Sequence, residues 1–184
     1  MSARKVIYGG ACSLDGYFTG KDGALDWLHM SKDVDAIMRQ SWDSADTILA
    51  GRKTWEFAKA MGGGGEMPGI KVKSYVFSRT LTSIAEKDTE LVTTDAGAFV
   101  RKLKTQPGKD IIVMSGGNFA TSLLREGVID EIGLNIGMRV FNRIAHPRLS
   151  SQMHNPIKIS ILERTQECLL IRETLMNKLE FVGE

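Results

Sequence analysis

The run Asp110-Ile111-Ile112-Val113-Met114 is apolar without alternation and stops at Ser115-Gly116-Gly117, after which Ala120, Leu123 and Leu124 recur at helical spacing. A strand that points apolar side chains to both faces needs cover on both. It therefore reads as a central parallel strand with helices above and below. The helix from Asn118 to Glu126, ended by Gly127, follows it through the Gly-Gly turn. This order of strand, glycine turn and helix points to the α/β class.

The same order recurs upstream. Thr47-Ile48-Leu49-Ala50 breaks at Gly51 into Arg52, Lys53 and Thr54, and Trp55, Ala58 and Met61 then repeat at helical spacing until the Gly62 to Gly65 run. Val72 to Phe77 is a strand rich in β-branched and aromatic residues that stops at Ser78-Arg79-Thr80. Around these units, Val6-Ile7-Tyr8 opens a first strand whose continuation through Gly9, Gly10, Ala11, Cys12 and Ser13 is slim. A helix reads from Ser31 through Val34, Ile37, Met38 and Trp42. Leu91 to Thr94 is a short strand, and Asp95 caps a helix with Ala96, Phe99, Val100 and Leu103 on one face, broken by Pro107-Gly108. Glu131 to Phe141, Ile157 to Leu162 and Cys168 to Arg172 read as three late strands, which makes the C-terminal part antiparallel. Trp42 and Trp55 fall on apolar stripes and are expected in the core.

With 184 residues, 42% of them hydrophobic, and no internal repeat, the expectation is a single domain over residues 1–184. It is a three-layer α/β/α arrangement on a mixed sheet, with a parallel centre and antiparallel C-terminal strands. A net charge of +2, from 24 basic and 22 acidic residues, leaves no bulk attraction for nucleic acid or anionic lipid, so any anion site must be local. Cys12 and Cys168 lie far apart and read as buried, inert thiols in a reducing compartment. His29, His146 and His154 have no metal-ligand spacing, and no metal is expected. No apolar run approaches the roughly 18 residues that a membrane span needs. A cytoplasmic protein without membrane or nucleic-acid partners is the expectation.

Parallel strands end on one edge of a sheet, and ligands collect there. Gly51-Arg52-Lys53-Thr54 and Gly116-Gly117-Asn118 each begin a helix, where unpaired backbone N–H groups and the helix dipole favour a phosphate. Ser78-Arg79-Thr80 adds hydroxyls and a guanidinium. Each turn alone has a plain structural explanation, a tight turn or a solvated cation. Together they point to a dinucleotide carrying an extra phosphate. Neither GxxxxGK[ST] nor GxGxxG occurs, which excludes a P-loop ATPase and a standard Rossmann domain.

The order S-L-D-G-Y (Ser13 to Tyr17), L-A-G-R-K-T-W-E (Leu49 to Glu56), V-F-S-R-T (Val76 to Thr80), V-M-S-G-G (Val113 to Gly117) and L-L-R-E-G-V-I-D-E-I (Leu123 to Ile132) resembles the dihydrofolate-reductase-like superfamily. Within it, the chain is similar to small stand-alone proteins related to the reductase domain of the bifunctional riboflavin-biosynthesis deaminase-reductase. The resemblance implies an NADPH-dependent reductase of a small pterin-, folate- or pyrimidine-like heterocycle, akin to 5-amino-6-(5-phosphoribosylamino)uracil reductase. It implies that Gly51, Arg52, Lys53 and Thr54 hold the pyrophosphate and adenosine side, Ser78 and Arg79 the ribose 2′-phosphate, and Gly116, Gly117 and Asn118 the pyrophosphate at the last helix. Ala11 would approach the nicotinamide, and Asp15 and Trp27 would face the substrate. Asp15, Asp35 or a bound water are the alternatives for the proton donor.

The chain also departs from its relatives. It lacks the Met-Pro-Trp segment of dihydrofolate reductases, and Trp55-Glu56-Phe57-Ala58 stands where riboflavin-pathway enzymes have Ala-Asp-Asp-Pro. Ile136 to Arg143 replaces a Pro-x-Leu-Leu-Gly-x-Gly-x-Pro loop. A non-catalytic NADP-binding sensor or partner module is thus the alternative, and an RNA-binding role for Arg139, Arg143 and Arg148 a weaker rival. The resemblance also implies a homodimer, through C-terminal strands that are equally compatible with an edge covered within one chain.

Overall fold

Ile111 and Val113 are buried on one face of their strand and Ile112 on the other, and the architecture of the computed structural model follows from that. It describes residues 4–20, 23–25, 27–28, 32, 36, 39, 42–60, 72–137, 160–164 and 168–174. The elements run β1 (Val6–Ser13), β2 (Ala45–Gly51), α1 (Arg52–Ala60), β3 (Lys73–Phe77), β4 (Thr89–Val92), α2 (Ala96–Lys104), β5 (Asp110–Met114), α3 (Gly117–Arg125), β6 (Glu131–Gly137), β7 (Ser160–Arg164) and β8 (Cys168–Thr174). One eight-stranded sheet orders them β4-β3-β2-β5-β1-β6-β8-β7.

The strands from β4 to β6 are all parallel. In register, Tyr8 and Leu49 both face Val113, Gly51 faces Phe77, and Ala11 faces Asn135. The antiparallel part begins at β8, which pairs with β6 on one side and β7 on the other, so β6 joins the two halves of the sheet. On one face, Val6, Tyr8, Leu49, Tyr75, Phe77, Ile111 and Val113 pack against Val100 and Leu103 of α2 and Ala120, Leu123 and Leu124 of α3. On the other, Ile48 and Ile112 pack with Trp42, Ala45 and Val72. Burying each large aliphatic side chain contributes roughly 1.5–3 kcal/mol, so this double cover accounts for the unbroken apolar run.

Helix ends follow local chemistry. Asp95 caps α2, its carboxylate accepting from the Ala98 N–H at 2.7 Å. The chain leaves α3 through Gly127 at φ 62°, where Gly127 N–H bonds to Leu124 O at 2.9 Å and Val128 N–H to Leu123 O at 3.3 Å. This paired closure needs the left-handed conformation that glycine adopts without strain. Trp42 is buried as expected, whereas Trp55 is only half-buried and α1 buries none of its residues fully. The Trp55 ring is covered instead by the Lys59 ammonium, 5.1 Å from its centre.

Lys32, Ala36, Arg39, Trp42 and Asp43 are helical, while Ser31, Val34, Ile37 and Met38 lie outside the described residues. So do Asp35, the three histidines, Gly62 to Gly65, Arg139, Arg143 and Arg148. Among the described residues, no helix is long and apolar enough to cross a membrane.

Candidate functional site

Strands β2 and β5 are neighbours, yet they send the chain in opposite directions along the sheet. After β2, α1 leads to β3 on one side; after β5, α3 leads to β6 beyond β1. Such a switch point opens a crevice at the carboxyl ends of the strands. A cleft of about 900 Å³ lies there. Gly51, Arg52, Lys53 and Thr54 line it from the β2 turn, Ser78 and Arg79 from the end of β3, and Gly116, Gly117 and Asn118 from the β5 turn. All the cofactor residues expected from the sequence except Ala11 thus border one cavity.

The two helix starts facing the cleft differ from α2. Gly116 at the N-cap of α3 makes no side-chain cap, so the first turn of α3 offers Gly117, Asn118 and Phe119 N–H groups without a capping acceptor. Gly116 has φ −68° and ψ 168°, a conformation open to any residue. A Cβ added at Gly116 or Gly117 would meet nothing within 4 Å. Neither backbone strain nor packing within the described protein requires glycine there. What the two glycines provide is an open cradle in front of backbone donors. Gly51 is different, because a Cβ there would come into contact with the Phe119 side chain at 3.4 Å, so an aromatic wall stands directly over this turn.

Among the described residues the cleft carries Arg52, Lys53 and Arg79 against one carboxylate, Asp95, which is engaged in capping α2. Arg52 donates to Glu56 at 2.9 and 3.1 Å along α1. An exposed i,i+4 pair of this kind contributes only about 0.3–0.5 kcal/mol and yields readily to a phosphate. Arg79 is exposed, and no described carboxylate pairs with it. The buried Ser78 hydroxyl accepts from Thr80 N–H at 3.1 Å and Leu81 N–H at 3.0 Å, which fixes the loop that presents Arg79.

Tyr17, Phe18, Thr19, Thr93, Thr94 and Phe119 also line the cleft, and sequence reasoning did not name them as site residues. For Thr93 and Thr94 a signal existed, since they follow a strand whose end shares the carboxyl edge. Phe119 packs on Phe77 with ring centres 4.8 Å apart. Phe18 lies over β1, so that a Cβ on Gly10 would be 3.2 Å from its ring.

The substrate-side candidates lie apart from the cleft lining. Asp15 sits half-buried in the turn after β1 and accepts from Ser13 Oγ at 2.6 Å. Trp27 is buried. Ala11 is half-buried in β1 beside β6.

The neighbouring Cys12 is buried, and burial, reinforced by the Asp15 charge, pushes its thiol up to about 11 from an ordinary 9.0. Burial also raises the Tyr8 phenol, whose hydroxyl donates to Ser115 O at 3.2 Å. Cys12 is therefore a neutral thiol at physiological pH and not a nucleophile. Above pH 9 the unfolded chain releases the thiol proton while the folded chain keeps it. Stability should accordingly fall between pH 9 and 11, by at most about 1.4 kcal/mol per pH unit for this one group. Urea unfolding across that range should give a shallower loss for Cys12→Ala than for the wild type.

A profile of the RibD C-terminal domain matches residues 4–159. YyaP of Bacillus subtilis is 32% identical over 145 residues, covering 74% of this chain and 76% of that protein. A putative riboflavin biosynthesis protein from Shewanella sp. PV-4 superposes with a TM-score of 0.75 at 20% identity, covering 92% of this chain and 98% of that one. A diaminohydroxyphosphoribosylaminopyrimidine deaminase/5-amino-6-(5-phosphoribosylamino)uracil reductase from Thermotoga maritima gives 0.66 at 14% identity, over 94% of this chain and 56% of that one. Dihydrofolate reductase from Enterococcus faecalis, complexed with NADP(H), gives 0.57 at 17% identity, over 92% and 94%. The chain belongs to the RibD C-terminal domain family, and its α/β fold is the reductase-like one of these riboflavin-pathway and dihydrofolate-reductase neighbours.

Proposed function

We propose that the protein is an NADPH-dependent reductase that transfers a hydride to a C=N or C=O group of a small pterin-, folate- or pyrimidine-like heterocycle. The observation that carries this reading is the cleft at the β2/β5 switch point, where two helix starts and three cations converge on an open glycine cradle. In this reading Gly117 and Asn118 N–H groups and the start of α1 hold the diphosphate, and Arg79 meets the ribose 2′-phosphate beside Ser78. Ala11 and the Phe18 end of the cleft border the nicotinamide. Bound NADPH supplies the hydride. The protein orients donor and acceptor and keeps water from the reacting carbon, which is where most of the rate enhancement of such a reaction arises. Asp15, in the turn just before Tyr17, and Trp27 are proposed for the acceptor side.

Turnover is tested by NADPH oxidation against a panel of pterins, dihydrofolate and ribosylaminopyrimidines, with NADPH binding measured separately. Oxidation with any of them supports a reductase. Binding without oxidation across the panel supports the sensor or partner module instead.

Arg79→Ala tests the 2′-phosphate contact. A charge-assisted hydrogen bond is worth roughly 1.5–3 kcal/mol, so NADPH affinity should drop about tenfold or more while NADH affinity stays level. An unchanged ratio between the two cofactors would remove Arg79 from the site.

A further inference from the structure

The Gly116 N–H donates to Thr54 Oγ1 at 3.2 Å, and this hydrogen bond crosses the switch point. Thr54 belongs to the first turn of α1 and Gly116 is the N-cap of α3. The bond therefore ties together the starts of the two helices that flank the crevice. It also removes the Gly116 N–H from the donors a ligand can use, leaving those of Gly117, Asn118 and Phe119 in the first turn of α3. The first backbone bond of α3, Ala120 N–H to Gly116 O at 3.4 Å, is long, so the helix itself holds Gly116 weakly. Gly116 has an exposed backbone, no cap and no side chain within 4 Å of its Cβ position; its carbonyl also accepts from Ser115 Oγ at 3.1 Å, a bond within its own strand end, so the Thr54 hydroxyl is its tie to α1.

We infer that Thr54 is a positioning residue, whose hydroxyl sets the spacing of the α1 and α3 starts so that the two grip a diphosphate as one unit. The inference rests on the cofactor reading above and adds a role for a side chain that acts through Gly116. A ligand that spans both helix starts gains from the spacing being set in advance, because the ordering cost is met before binding. A ligand that touches only the Ser78 and Arg79 end gains nothing from it. The hydroxyl therefore matters for ligands with a diphosphate and not for an adenosine that carries the 2′-phosphate alone.

The test compares wild type, Thr54→Val and Thr54→Ser for equilibrium binding of NADPH and of adenosine 2′-monophosphate, which carries the 2′-phosphate and no part of the diphosphate, with thermal unfolding of each protein. Valine keeps the shape and removes the acceptor. Loss of one hydrogen bond and a newly unpaired N–H should weaken NADPH roughly tenfold in Thr54→Val, change the 2′-monophosphate less than about twofold, and be restored by Thr54→Ser. Amide exchange of the ligand-free protein gives a readout that needs no cofactor. There the Gly116 N–H should exchange at least about tenfold faster in Thr54→Val than in wild type. If Thr54→Val does not fold, Thr54→Ala carries the same expectations. NADPH affinity unchanged by loss of the hydroxyl, an equal loss for both ligands, or failure of serine to rescue would each overturn the role. Wild type binding neither ligand would instead overturn the cofactor reading on which it rests.

Discussion

Replacing Gly116 with valine is expected to raise the dissociation constant for NADPH by about a hundredfold or more while leaving the fold in place. The backbone at Gly116 already has the extended conformation that valine prefers, and a Cβ there would have no neighbour within 4 Å. Losing glycine at an N-cap costs up to about 1 kcal/mol, and reducing the freedom of the unfolded chain returns a few tenths or more. Net stability should therefore change by less than about 1 kcal/mol. Gly116 lines the cleft beside Gly117 and Asn118, so valine methyls added there are expected to keep a diphosphate from their N–H groups. Losing two charge-assisted hydrogen bonds is worth about 3 kcal/mol, which is the hundredfold. Titration of cofactor fluorescence, paired with thermal unfolding, separates the two effects. Unchanged affinity in a folded Gly116→Val protein means that the cradle does not face the diphosphate.

Asp46→Ala should do the reverse, lowering stability by about 3 kcal/mol with cofactor affinity unchanged. Arg4 is buried at the amino edge of the sheet, opposite the cleft. Its guanidinium pairs with Asp46 and donates to Thr47 Oγ1 at 2.6 Å and to Lys109 O at 2.5 Å. Asp46 in turn accepts from the Lys109 N–H at 2.8 Å, clasping the starts of β2 and β5 to the chain that enters β1. Removing the carboxylate strands a buried cation, and breaking such a pair from one side typically costs about 3–5 kcal/mol. The low end applies because Asp46 itself is 37% exposed. For a chain of this size the melting temperature should fall by roughly 6–12 °C. Thermal unfolding with and without NADPH checks both halves, since an intact cleft still lends its full ligand-dependent shift.

The elements that position the site were largely legible because each carries its own signal. Ile111, Ile112 and Val113 announce a strand covered on both faces, and the Gly51 and Gly116-Gly117 turns announce where helices begin. Strand order carries no such local signal. That β5 inserts between β1 and β2 follows from pairing residues far apart in sequence, such as Leu49 with Val113 and Tyr8 with Val113. Without that adjacency, the Thr54 to Gly116 hydrogen bond cannot be foreseen. Trp55 shows a different limit, since helical periodicity marks an apolar face but not whether a core or a lysine covers it. Phe18 and Tyr17 were passed over for the opposite reason: they follow β1 in a polar turn whose return toward the cleft depends on Ser13 N–H bonding to Tyr17 O at 2.8 Å. Asp15 and Trp27 rest on the resemblance, because neither lies at a strand-to-helix turn that would mark it locally.

The open glycine cradle and the three cations of the β2/β5 cleft are proposed to bind a phosphorylated nicotinamide dinucleotide. Equilibrium titration of the purified protein with NADPH and NADH, followed by cofactor fluorescence and matched to thermal shifts, tests this most directly. Saturable binding with NADPH preferred is the expected result, with stabilisation of about 2.7 kcal/mol at a hundredfold excess over its dissociation constant. Binding of neither cofactor, with the protein folded, would contradict the proposal.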